Sequence, residues 1–315
     1  MIELIDINKS YKLSNGKVIR ALDNVNFCIQ QGSMVGLIGM NGAGKSTLVK
    51  ILSGILIPDS GICKLDGNIP YINREKNAKN IGVMFGQKSQ LWWDLPLKNT
   101  FEVLKIIYDV EDKNYVSMMN YLIERFELDE FLQQPVRTLS LGQRMRAEIA
   151  CILLHHPKIV FLDEPTIGLD IMIKNKIRDA LIQYNQEYKT TFIITSHDMK
   201  DIEKLCNQLV ILDSGKILFD GPTEKFYQVY KKETIIKCQI FEDIKEIKKL
   251  LFNKYDNLSI SDENQNLIIK VDSDSQLSPV IIKYLASIAT INKLEISDNT
   301  LEDLISQIYH EKKAS

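Results

Sequence analysis

The stretch Gly39-Met40-Asn41-Gly42-Ala43-Gly44-Lys45-Ser46 constrains this chain more than any other. It fits G-x-x-x-x-G-K-[ST], and its surroundings matter as much as its letters. Before it, Met34 to Ile38 is an unbroken apolar run, the pattern of a strand buried on both faces. After it, Leu48, Ile51, Leu52 and Ile55 recur at helical spacing. A strand that turns through glycines into a helix start presents backbone N–H groups and a favourable dipole to a phosphate. In such a loop Lys45 reaches the β- and γ-phosphates of a nucleotide, and the Ser46 hydroxyl holds Mg²⁺.

The rest of the first 230 residues suits an α/β domain. Ile2, Leu4, Ile5 and Ile7 lead to Tyr11, and Val25, Phe27 and Ile29 alternate with polar residues before Gln31-Gly32 turns the chain. Helical periodicity runs from about Pro96 to Leu132, through Phe101, Leu104, Ile107 and Tyr108, then Met118, Leu122, Ile123 and Phe126. Ile159 to Leu162 and Thr191 to Ile194 read as buried strands. Leu209 to Leu212 and Ile217 to Phe219 flank the turn Asp213-Ser214-Gly215.

The first of those buried strands ends in Asp163-Glu164. An Asp at such a strand end holds Mg²⁺ in phosphate-loop enzymes, and the next carboxylate can orient or deprotonate an attacking water. The four apolar residues before the acids argue against a merely solvated acidic loop.

Charge excludes some partners. Basic and acidic residues number 27 each up to residue 230, and 12 against 14 beyond it. Neither part has the basic excess of a nucleic-acid binder. No segment approaches the ~18 apolar residues of a membrane span, and the N-terminus lacks a signal-peptide pattern. The five cysteines show no C-x-x-C spacing, so neither a disulfide framework nor a zinc site is expected. These features fit a reduced, cytosolic chain.

With these residues in view, the chain resembles the ATP-binding subunit of an ABC transporter over about residues 1–230. Further motifs fall in that family's order. Tyr11 matches the aromatic that stacks on adenine, and Gln87, in Phe85-Gly86-Gln87-Lys88, the glutamine that meets Mg²⁺ and the attacking water. Leu139-Ser140-Leu141-Gly142-Gln143 matches the signature motif, with Leu141 where the family usually has glycine. Ile167-Gly168-Leu169-Asp170 matches the D-loop, and His197, after Ile193-Ile194-Thr195-Ser196, the switch histidine. Ser140 is a natural helix N-cap, and Leu141, Met145, Ile149 and Ile152 would form the apolar stripe of the following helix.

The resemblance implies a fold with a mixed core sheet, an antiparallel β subdomain and a helical subdomain. It implies ATP and Mg²⁺ as cofactors. Tyr11, Gly39, Asn41, Gly42, Ala43, Gly44, Lys45, Ser46 and Thr47 would hold the nucleotide. Ser46, Gln87 and Asp163 would hold the metal, while Lys45, Gln87, Glu164 and His197 act in catalysis. Ser140, Gly142, Gln143 and Asp170 would act across the interface with a second ATP-binding subunit, as in a homodimer. A separate integral-membrane permease completes the expectation. It places this chain peripherally on the cytoplasmic side of the membrane, in the exporter branch and without nucleic acid. The rival is a non-transport ABC ATPase, a soluble regulator or translation or repair factor. One phosphate loop, one signature and no long heptad insertion weigh against it.

From about Lys231 the pattern changes to strand Ile235–Ile240, helix Ile244–Phe252, strands Leu258–Ile260 and Leu267–Val271, helix Leu277–Ile288 and strand Ile291–Ile296. This βαββαβ order predicts a ferredoxin-like domain over residues 231–315, closed by a helix from Leu301 to Tyr309. Within it, Thr300-Leu301-Glu302-Asp303-Leu304 resembles a phrase near the C-terminus of exporter ATPases. Three other features carry less. Asn253-Lys254-Tyr255-Asp256 imitates a guanine-reading N-K-x-D, but no D-x-x-G accompanies it. His155-His156 reads as a helix-end pair that satisfies C-terminal carbonyls. Trp92-Trp93 suits either the local core or, by resemblance, a surface facing the permease.

Overall fold

The computed structural model describes residues 1–86, 89–230, 233–255, 258–263, 266–272 and 277–314. The chain divides into two compact units, Met1–Thr223 and Glu224–Ser315. The expected boundary near Lys231 and the Asp256 of the N-K-x-D imitation lie outside the described residues.

The first unit is built on two sheets. Strands β1 (Ile2–Lys12), β2 (Val18–Ile29) and β4 (Ser60–Leu65) form an antiparallel sheet in the order β2-β1-β4. The alternation of β1 breaks at Asp6, which takes a positive φ of 51° where the register shifts, so Ile5 is exposed while Leu4 and Ile7 are buried. The second sheet combines β3 (Met34–Ile38), β5 (Ile81–Met84), β6 (Ile159–Asp163), β7 (Thr191–Thr195), β8 (Gln208–Asp213) and β9 (Lys216–Pro222). Its order is β5-β6-β7-β3-β8-β9, parallel throughout except for the β8–β9 hairpin.

Burial on both faces explains the unbroken apolar runs. All residues of β3 and β7 are buried, as are the first four of β6. At roughly 1.5–3 kcal/mol for each large apolar side chain, these strands contribute heavily to the core. One core joins both sheets through Ile2, Val35, Leu37, Phe161 and Val210, with α1 (Lys45–Leu52) supplying Leu48 and Ile51.

The expected helical region is two helices, α3 (Leu97–Ile107) and α4 (Asp112–Phe126), after α2 (Arg74–Asn80). The break falls where Asp109 takes a φ of 56°. Both helices pack on α5 (Leu141–Leu153), while α6 (Ile171–Tyr188) and α7 (Met199–Leu205) flank β7 in sequence.

In the second unit, α8 (Thr223–Val229) is followed by β10 (Glu233–Ile240), α9 (Ile244–Lys254), β11 (Ser259–Glu263), β12 (Asn266–Asp272), α10 (Leu277–Ile288), β13 (Ile291–Asp298) and α11 (Leu301–Ala314). The sheet order β11-β12-β10-β13, antiparallel throughout, is the ferredoxin-like arrangement. Ile236 and Cys238 of β10 and Leu267, Ile269 and Val271 of β12 form its buried face, beneath Ile247, Leu251, Ile281 and Leu285 from the helices.

Candidate functional site

The loop after β3 is shaped by glycines that nothing larger could replace. A Cβ on Gly39 would lie 2.5 Å from the Leu212 carbonyl oxygen, and one on Gly44 would lie 2.4 Å from that of Ala21. Gly42 and Gly44 also take φ values of 82° and 110°. The β8–β9 turn braces the loop, with Gly215 N–H donating to the Ala43 carbonyl at 2.9 Å. Helix α1 starts at Lys45, so the N–H groups of Lys45, Ser46 and Thr47 have no partner within their own helix. Ser46 and Asn41 are exposed at this end. Lys45 Nζ curls back to donate to the carbonyls of Gly39 and, at 3.2 Å, Met40. Burial lowers its pKa, and the carboxylates of Glu164 and Asp163 oppose that shift. The exposed Tyr11 reaches the same place, its hydroxyl 3.4 Å from Thr47 Oγ1.

The acids at the end of β6 face this loop. Asp163 Oδ1 accepts from Thr195 Oγ1 at 2.6 Å. Its other oxygen faces Gly86, where an added Cβ would come to 3.5 Å. That glycine leaves a carboxylate oxygen open beside the loop, so the donor set of Asp163 and Ser46 fits a hard divalent cation. Gln87 lies outside the described residues. Glu164 takes a φ of 57°, its N–H bonded to the Thr195 carbonyl. This turn aims its carboxylate at His197, whose backbone N–H donates to Oε2 at 3.3 Å and whose Nε2 lies 3.4 Å from Oε1. A strained turn at such a spot is a feature of functional sites.

A second group assembles at the N-termini of α5 and α6. Ser140 caps α5, accepting from Gln143 N–H at 3.2 Å, while Gln143 Oε1 accepts from Ser140 N–H at 2.9 Å. This capping box occupies Gln143 within its own helix. A Cβ on Gly142 would meet Ile173 at 3.3 Å, so these two helix ends approach closely. Asp170 caps α6 by accepting from Met172 and Ile173 N–H. The expected stripe along α5 needs correction: Ile149 and Ile152 are buried, but Leu141 is exposed and Met145 only half-buried. The contact with α6 is made through Gly142, which turns Leu141 outward toward Gly168.

Two other expectations are settled here. Trp92 and Trp93 are 45% and 53% exposed, so they are not part of the local core. Arg144 lies over the Trp93 ring, 5.6 Å from its centroid. A groove of about 410 Å³ opens beside them, lined by Phe85, Ser89, Leu141 and Glu148 among others. His155 does not cap its helix; its Nε2 bonds the Ile81 carbonyl at 3.0 Å, and its ring stacks on Tyr108 at 3.8 Å.

Sequence reasoning missed the residues that hold this site in shape. Thr195 stands in the run before His197, 32 residues from Asp163, and nothing local marks it as the partner of that carboxylate. Lys174 pairs with Asp198 at 2.6 Å, and Thr166 and Arg178 both bond Asp201. No local pattern marks those pairs.

A family model described as ABC transporter matches residues 22–167. The chain is 30% identical over 235 residues to the ABC transporter ATP-binding protein NatA of Bacillus subtilis (strain 168), covering 75% of this chain and 95% of that one. It is 28% identical over 311 residues to the methionine import ATP-binding protein MetN of the same organism, covering 98% and 88%. Among solved structures it resembles the dimeric post-hydrolysis state of the ATP-binding cassette MJ0796 bound to ADP and Pi. That likeness has a TM-score of 0.62 at 27% identity, over 70% of this chain and 98% of that one.

Proposed function

The chain belongs to the ABC transporter family as an ATP-binding, ATP-hydrolysing subunit, and from that premise we propose that it dimerises head to tail around two Mg·ATP and drives export through a separate permease. The observation that carries the catalytic part is the alignment of Glu164 with His197 beside the loop that starts α1. The N–H groups of Gly42 and of Gly44 to Thr47, with the Lys45 ammonium, bind the phosphates, and Tyr11 stacks on the base. Ser46, Gln87 and Asp163 hold Mg²⁺, which when bound supplies positive charge to the phosphate oxygens. Glu164 orients and deprotonates the attacking water, and His197 fixes the Glu164 carboxylate.

Ser140, Gly142, Gln143 and Asp170 complete the site of the partner copy. The exposed, capped N-terminus of α5 is suited to receive the γ-phosphate of a nucleotide held by another chain. The solved dimer of a similar cassette supports this reading. No described helix is long and apolar enough to cross a membrane; in this reading a separate permease supplies the path. Trp92, Trp93 and Arg144 are the surface on which it would rest, at the cytoplasmic face.

Export is favoured by the likeness of the Gln87–Trp93 stretch and of Thr300–Leu304 to exporter ATPases. A second reading, import, is favoured by the near full-length match to a methionine import subunit. The test begins with tagged chain purified from a detergent extract together with its permease. The complex is then placed in vesicles with the ATPase outward. ATP-driven accumulation of a hydrophobic dye in the lumen supports export. ATP-driven loss of a preloaded solute supports import, and absence of any permease in the extract removes both.

A further inference from the structure

We propose that Glu148 is a positioning residue for ATP turnover, its buried carboxylate tying the segment that leaves β5 to helix α5, which carries Ser140. The inference rests on the catalytic reading above.

Glu148 lies two turns into α5 and is only 6% exposed. It accepts from Ser89 Oγ and from the Gln90 backbone N–H, each at 2.6 Å. Gln90 in turn donates through Nε2 to the Val83 carbonyl of β5 at 2.9 Å. At the other end of α5, His155 bonds the Ile81 carbonyl at the start of the same strand. Helix and strand are therefore joined at both ends of β5, and the helix bears Ser140 at its N-terminus.

A glutamate is an expensive way to fill space. Acidic side chains are rarely buried without partners, because losing water costs a charge far more than it costs a methylene. Burial raises the Glu148 pKa, while Ser89, Gln90 and Arg144 oppose that shift. Packing alone would be served better by an apolar residue. What the carboxylate adds is direction: it fixes where Ser89 and Gln90 sit relative to α5. Ser89 is three residues beyond Gly86, which faces Asp163, and both line the groove with Trp93 and Arg144. In this proposal the Glu148 carboxylate couples the lining of the groove to the helix that carries Ser140.

The experiment uses the full chain with Glu148→Ala, Glu148→Gln and Ser89→Ala. It reads steady-state ATPase kcat and KM, affinity for a fluorescent ATP analogue, and hydrogen exchange at the Gln90 amide. Glu148→Ala should lower kcat tenfold or more, leave nucleotide affinity within twofold, and raise Gln90 exchange at least tenfold. Glu148→Gln should recover most of the turnover, since its amide oxygen still accepts from Gln90. Ser89→Ala should give a smaller loss of kcat at unchanged KM. Wild-type kcat in Glu148→Ala with raised Gln90 exchange would overturn the proposal. So would a matched fall in affinity and kcat, which marks simple unfolding. Should Glu148→Ala not fold, wild-type kcat in both other variants overturns it. Glu164→Gln is the control: if that variant keeps turnover, the catalytic reading fails; if it loses turnover while the Glu148 variants do not, only the positioning role falls.

Discussion

Arg178 Nη1 lies 2.8 Å from Asp201 Oδ1, and the two residues are 3% and 1% exposed. The other oxygen of Asp201 accepts from Thr166, two residues after Glu164. One buried carboxylate thus joins α6, the helix after His197, and the segment after Glu164. Breaking such a pair by removing one partner leaves a charge buried alone, at about 3–5 kcal/mol. Asp201→Ala should lower the free energy of unfolding by that order in urea titrations. Arg178→Met combined with Asp201→Leu should lose less, and a double variant at least as unstable as Asp201→Ala would contradict this account.

Glu164→Gln keeps size and removes the base. ATP binding should persist while turnover falls ~10²–10⁴-fold. Lys45→Ala should act differently, weakening nucleotide binding itself. The two outcomes are separated by equilibrium binding of labelled ATP alongside phosphate release, measured with the permease-bound chain. Unchanged phosphate release in Glu164→Gln would refute the assignment.

The proposal of shared sites makes a mixing prediction. Lys45→Ala chains and Ser140→Arg chains should each be inactive as homodimers. In the mixed dimer both defects fall on one site, leaving the second intact. Partial recovery of ATPase activity is expected on mixing. No recovery despite verified mixed dimers, with a monomer as the closed state on Mg·ATP, would decide against sharing.

The first unit owns a complete core. A chain shortened to residues 1–223 should therefore stay soluble and bind ATP with an affinity close to that of the full chain. Aggregation of that fragment, or loss of ATP binding by calorimetry, would show that the two units fold as one.

His155 makes a pH prediction. Burial pushes its pKa down to about 4, with Nδ1 enclosed and without a hydrogen-bond partner; the bond to the Ile81 carbonyl opposes that shift and the neighbouring His156 adds to it. The unfolded chain binds a proton there near pH 6.5, so it takes up more protons than the fold between that value and about 4. The sign follows: this stability is present above pH 6.5 and is lost as pH falls through the window, by roughly 3 kcal/mol in all. Thermal melts of His155→Gln, which keeps a donor for Ile81 but cannot titrate, should show a flatter fall from pH 7 to 4.5. Parallel curves would remove His155 from the explanation.

Much of the site was legible in the chain itself because its signals are local. Gly39 to Ser46 needs only a preceding buried strand and a following helix, and Asp163-Glu164 needs only the apolar run before it. The Ser140–Gln143 capping box is likewise written within four residues. The order of elements in the second unit was readable for the same reason, since period-two strands and period-3.6 helices alternate there without overlap. Other features had no local signature. Strand β5 is four residues long and sits at the sheet edge, too short to show a period. Glu148 looks like one more polar residue on a helix until Ser89 arrives from 59 residues away. His155 finds Ile81 at a separation of 74, and Asp163 finds Thr195 at 32. Those partners are chosen by strand order in the parallel sheet, where neighbours in space come from distant parts of the chain. Local pattern determined which residues could do chemistry; the crossing connections decided which buried polar groups hold them in place, because a hydrogen bond across a sheet or between helices depends on registration that no single segment encodes.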